Sequence, residues 1–163
     1  MKKLLLIAVF VICGLGTVNA QEGSFNAGIN LGLPTGDADI ISSFVVGAEA
    51  NYMFNVSEGL DVGASVSFVN YFGKEVLGIK FDSASFLPIA GAVRYATSEK
   101  LVIGADLGYG IGISPDGNDG GFYYRPMVGY NISETIMLQA TYSGVSVSGG
   151  TFSNFGIGAM FAL

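Results

Sequence analysis

Histidine is missing from all 163 residues, cysteine occurs once, and charged residues make up only 12 % of the chain. Each shortage excludes something. Without histidine there is no Ser-His hydrolase and no imidazole general base, and no Gly-x-Ser-x-Gly elbow is present either. The lone Cys13 lies inside an apolar N-terminal segment, so the rest of the chain has no disulfide and no thiolate metal site. No metal ligand set and no cofactor are expected. Beyond that first segment no apolar run is long enough to cross a bilayer as a helix. Mean hydropathy is nevertheless +0.54. Either the core is very large for the length, or much of the surface faces lipid.

The first twenty residues read as a cleaved secretory signal peptide. Lys2 and Lys3 form a basic start, Leu4 to Ile12 an apolar stretch, and Val18-Asn19-Ala20 a small-residue cleavage site before Gln21. Ile12 does not suit a lipid-attachment site at Cys13. One domain is then expected over 21–163. Setting aside Lys2 and Lys3 from the seven basic residues leaves 5 against 13 acidic ones, a net charge of -8. That argues against nucleic acid as a partner, which requires a basic face.

What the chain does have is a repeated turn. Phe54-Asn-Val-Ser-Glu-Gly-Leu60, Tyr95-Ala-Thr-Ser-Glu-Lys-Leu101 and Tyr130-Asn-Ile-Ser-Glu-Thr-Ile136 share an aromatic residue, a polar link containing Ser-Glu, and an aliphatic residue. Apolar residues recur at every second position on both sides of each copy. That period is the pleat of a β-strand, and a short polar link between two such runs is a hairpin. Counting outward from the turns gives eight strands, near 24–33, 44–54, 60–68, 87–95, 101–113, 122–130, 136–142 and 154–163. Between the short links lie longer loops, among them Phe72 to Asp82 and the turn-rich Ser114 to Gly121.

One face of all eight strands is free of charge, and every strand-borne charge (Glu49, Asp61, Arg94, Asp106, Arg125) falls on the other. Volume decides which face is inside. An eight-stranded barrel leaves an interior that side chains just fill. The charged face is mostly Gly, Ala and Ser and fits there. The other carries Phe44, Tyr52, Phe68, Tyr109, Tyr124 and Tyr142, and does not. The expectation is an all-β, eight-stranded antiparallel up-and-down transmembrane barrel, apolar outward. Phe54, Tyr95 and Tyr130, beside the short turns, are placed as interfacial aromatics.

With its leader, its three aromatic-x-x-Ser-Glu-x-aliphatic turns and the terminal strand ending Met160-Phe161-Ala162-Leu163, the chain resembles the small outer-membrane barrels of the OmpX and OmpA-barrel kind. It is most similar to the outer-membrane β-barrel domain family common in Bacteroidetes. The resemblance covers the whole chain after the leader. It implies a Gram-negative cell envelope, an outer-membrane location among lipid and lipopolysaccharide, and the barrel-insertion machinery as a partner in biogenesis. The outer-membrane acyltransferases, deacylases and proteases that need histidine are excluded.

The lumen charges are expected to form a polar network of Glu49, Asp61, Arg94, Asp106, Arg125 and Gln139. Asp61 and Arg94 each lie one residue from a short turn, so the spacing pairs them; Glu49, Asp106 and Arg125 form a second layer. Three acids against two arginines leave one carboxylate in excess. Such charges plug a narrow barrel more readily than they catalyse. The leading expectation is therefore a non-enzymatic barrel with a structural, adhesive or partner-docking role through its outer loops. A narrow channel and a soluble ligand-binding barrel are the alternatives. The docking candidate is the loop holding Phe72, Lys74, Leu77, Ile79, Lys80 and Phe81, a basic and apolar projection suited to lipopolysaccharide or to an extracellular protein partner.

Overall fold

The computed structural model describes residues 23–163; the leader and its cleavage site lie outside the described residues. Alternation of apolar and small or polar residues carries the chain through β1 (Gly23–Thr35), a short helix α1 (Asp37–Ile41), β2 (Ser42–Ser57) and β3 (Leu60–Gly73). A two-stranded excursion follows, β4 (Glu75–Val76) and β5 (Ile79–Lys80). Then come β6 (Ala84–Ala96), β7 (Leu101–Ser114), β8 (Gly121–Asn131), β9 (Ile136–Val147) and β10 (Gly150–Ala162). The eight long strands form a closed antiparallel barrel in the order β1-β10-β9-β8-β7-β6-β3-β2. The first and last strands close it through ten residue pairs, from Asn26 opposite Ala162 to Thr35 opposite Ser153. Closure leaves no edge in the wall, so backbone groups find their partners within the sheet.

The expected inside and outside hold. Ile29, Leu31, Phe68, Leu107, Tyr109, Phe155 and Ile157 are exposed on the outer surface, while Glu49, Asn51, Arg94, Asp106, Arg125 and Gln139 are buried within. Polar and charged side chains inside and an apolar wall outside is a membrane arrangement, and the soluble-barrel alternative fails on it. Strands of 11 to 16 residues exceed the roughly 9–11 that a tilted strand needs to cross. The surplus extends the walls at the end opposite the termini.

The three repeated turns, together with both strand termini, mark one end. Two of them share a geometry: the Ser98 and Ser133 hydroxyls accept the backbone N–H of Leu101 and Ile136, 3.1 and 3.0 Å away. The first copy differs. Gly59 adopts φ 73, so two residues suffice between Ser57 and Leu60. The repeated serine is thus a turn-forming residue in two of its copies.

The other end carries four connections. The first is α1, which the periodicity missed because five residues are too few to show a helical period. The second is the β4–β5 hairpin. The last is a tight link from Val147 to Gly150, so β9 and β10 continue through residues 143–153, which the period-two count leaves between its last two strands.

Candidate functional site: the lumen and the outer crown

Midway along the lumen, four charges meet. Arg125 on β8 stands directly opposite Asp106 on β7. Its Nε donates to Asp106 Oδ2 at 2.9 Å, and its Nη1 and Nη2 grip the Glu49 carboxylate of β2 from the far wall, the latter at 2.8 Å. Arg94 Nη1 reaches the other oxygen of Asp106 at 2.6 Å. Asn30 and Gln139 donate to Glu49 at 2.8 and 3.2 Å, and Ser65 to Asp106 at 3.4 Å. Asp106 is 1 % exposed and Arg94 7 %. Two carboxylates against two guanidinium groups sum to zero, with bidentate geometry on Glu49.

This corrects the expected pairing of Asp61 with Arg94. The two are cross-strand neighbours, as their equal distance from the turns implies. The guanidinium nevertheless leans inward to Asp106. The residue facing Arg94 on the other side is Gly104, where a Cβ would stand 2.6 Å from Arg94 Cδ. Its lack of a side chain opens the route. Asp61 stays near the rim and accepts a hydrogen bond from the Asn55 amide at 2.9 Å. The excess carboxylate is therefore at the mouth, and the buried layer is balanced. Gly104 makes room for Arg94, and Gly110 faces Val145.

Above the charged layer the lumen turns apolar. Tyr71, Phe86 and Phe152 form a three-ring cluster with centroids 5.2 to 6.1 Å apart, packed with Val45, Tyr123, Val145 and Ala38 of α1. Tyr71 donates its hydroxyl proton to the Phe152 carbonyl at 2.9 Å and accepts from Asn154 at 2.8 Å. Sequence reasoning missed these rings. The signal was present for Tyr71, which keeps the parity of Asp61, Gly63, Ser65 and Ser67 beyond the expected end of its strand. Between rings and charges remains a cavity of about 20 Å³, and beneath the charges an open vestibule of about 190 Å³ reaches the turn end, lined by Asn26, Asn51, Asp61 and Arg94 among others. Among the described residues no group of three His, Cys, Asp or Glu side chains is placed to hold a metal.

The aromatics expected at the interface all belong to the turn end of the wall. Tyr95 and Tyr130 face outward beside the short turns, and Phe54 meets Tyr52 edge-on at 4.9 Å. Near the opposite rim Phe44 stacks on Phe72 at 4.2 Å, and Tyr109 donates to the Asp119 carbonyl at 2.9 Å, tying the 115–120 loop to the wall.

At the outer crown the docking candidates split. Phe72 belongs to the wall, on its outer face. Leu77, Ile79 and Lys80 lie on the projecting β4–β5 hairpin, with Lys74 and Phe81 at its base. The basic character expected there has acidic neighbours: Lys74 pairs with Asp39 at 3.5 Å, and Lys80 stands opposite Glu75 in register.

No family model matches the sequence, and no curated protein sequence matches it. Solved structures do. The attachment invasion locus protein Ail of Yersinia pestis superposes with a TM-score of 0.60 at 15% identity, over 89% of this chain and 100% of that one; Ail has also been solved with the heparin analogue sucrose octasulfate. Neisserial surface protein A gives a TM-score of 0.56 at 12% identity, covering 89% of this chain and 100% of that chain. A de novo designed transmembrane β-barrel gives 0.56 at 16%, covering 90% and 100%. This chain has the fold of the small eight-stranded outer-membrane barrels. The designed protein, which matches as well as a natural one, shows that the likeness speaks for architecture alone.

Proposed function

We propose that this chain is an exported, non-enzymatic outer-membrane barrel that acts through its outer loops and is closed to solutes. The observation that carries the reading is the filling of the lumen. A zero-sum cluster of Glu49, Asp106, Arg94 and Arg125 lies beneath a lid of Tyr71, Phe86 and Phe152, with about 20 Å³ between them. That volume holds about one water molecule. Eight strands leave little room for an aqueous path once long side chains fill the interior. The leader read in residues 1–20 would deliver the chain for export, and lipid and lipopolysaccharide would surround its apolar wall.

The narrow-channel alternative draws on the open vestibule of about 190 Å³ at the turn end. Planar-bilayer recording of the refolded barrel separates the two. The closed reading expects no steady conductance from protein that shifts on a gel between boiled and unboiled samples. Stable unitary currents from the same preparation would overturn it. Ail has been solved with a heparin analogue; the acidic crown of this chain does not favour a sulfated ligand.

A further inference from the structure

The link between β4 and β5 consists of Leu77 at φ 53 and Gly78 at φ 80. Two successive positive φ values make the tight hairpin turn that Asn-Gly ordinarily occupies, because a Cβ is strained there. A leucine in the left-handed region is an outlier that local structure does not favour. Leu77 is also 99 % exposed, so no contact within the fold offsets the strain. The hairpin that holds it is fixed at its base. Phe81 N–H donates to the Lys74 carbonyl at 3.1 Å, Lys74 N–H to the Ile41 carbonyl at 2.9 Å, and Gly73 N–H to Ser83 Oγ at 3.2 Å. The Lys74 ammonium is held by Asp39. Ile79 follows the turn directly and is 63 % exposed; Ile40, on the helix that anchors the base of the hairpin, is 65 % exposed. A strained, preorganised apolar tip on a fixed stalk loses little conformational freedom on docking.

Charge indicates what docks. The loops of the crown carry six carboxylates, Asp37, Asp39, Glu75, Asp82, Asp116 and Asp119, against Lys74 and Lys80, a formal -4. Both lysines have an acidic neighbour already. Such a field repels phosphate-rich glycolipid and draws in cations. Resting on the reading that the outer loops are where this barrel acts, we infer that the crown docks a basic, amphipathic polypeptide surface. Its apolar side chains cover Leu77, Ile79 and Ile40, and its Lys or Arg residues meet the acidic rim.

The test uses the refolded barrel in zwitterionic nanodiscs and three synthetic peptides of equal length, built from Leu and Lys, Leu and Glu, or Ser and Lys. The Leu/Lys peptide binds, and each of the others binds at least about tenfold more weakly. Leu77→Asn installs the ordinary Asn-Gly turn. It lowers Leu/Lys affinity by about tenfold while the unfolding midpoint stays level or rises, a combination that a structural role for Leu77 does not produce. Asp116→Asn with Asp119→Asn weakens binding and flattens its dependence on salt. Equal binding of the Leu/Glu peptide, or undiminished binding to Leu77→Asn, overturns the inference. Crown-dependent binding to phosphatidylglycerol vesicles overturns it in favour of an anionic lipid surface. A barrel that conducts but still binds Leu/Lys refutes only the closed-lumen reading; a silent barrel that binds no peptide refutes only this inference.

Discussion

Arg125 is the residue on which the interior depends most, because it touches both buried carboxylates at once. Arg125→Ala leaves Glu49 without its guanidinium and Asp106 with only Arg94. A buried pair broken from one side costs on the order of 3–5 kcal/mol, so the variant should unfold at markedly lower denaturant concentration, or fail to show the heat-modified gel shift. Double-mutant cycles then distinguish the two acids near Arg94. Arg94→Ala should couple with Asp106→Asn by about 0.5–3 kcal/mol, as residues in one network do, and only weakly with Asp61→Asn. Coupling to Asp61 stronger than to Asp106 would contradict the observed geometry. Depth along a strand was legible in the sequence, since distance from a turn is a count. Direction was not. Which of two acids an arginine reaches depends on the bare backbone at Gly104, and that is a three-dimensional fact.

Among elements, the strands were the legible part and their outer ends the illegible part. The period-two pattern placed every membrane-crossing stretch, yet the wall continues through Tyr71, Phe86, Val145 and Phe152, where inward positions become aromatic and aliphatic and the contrast between faces fades. A reading based on that contrast stops at the point where the lumen changes character. Two prolines also mark the wall. The β3–β6 ladder is interrupted opposite Leu87-Pro88 and the β8–β9 ladder opposite Arg125-Pro126, since proline has no N–H to give. Pro126 faces outward, so Pro126→Ala restores a donor toward β9 without disturbing the lumen. It should stabilise the barrel by about 0.5–1.5 kcal/mol, read as a higher midpoint in urea. A lower midpoint would mean that the rigidity of proline contributes more there than the missing bond costs.

At the scale of the whole molecule, the barrel has exchanged the usual places of oil and water, and substitutions report it. Ala105 lies outward at the level of the charged layer, next to Asp106. Ala105→Lys should cost about 2–4 kcal/mol in lipid, the penalty for a lysine near the midplane. Gly91 faces the same way, and a Cβ there comes no nearer than 3.9 Å to its surroundings, so Gly91→Ala should be nearly silent in the same folding titration. Gly112, also a glycine in the wall, is no equivalent control: an added Cβ would overlap the Asn118 carbonyl oxygen. Equal sensitivity of Ala105→Lys and Gly91→Ala would reverse the assignment of inside and outside.

The ten pairs that join β1 to β10 make the numbering of the wall a matter of convention. Leu163 N–H donates to the Phe25 carbonyl at 2.9 Å, so the two ends of the barrel chain already stand side by side at the turn end. The ladder of this seam is as continuous as those of the neighbouring seams. Joining residue 163 to residue 23 through a short glycine-serine link, and opening the chain instead between Ser148 and Gly149, should give a circular permutant that folds to the same heat-shifted barrel. Its new termini would emerge beside the crown, on the surface from which the hairpin tip projects.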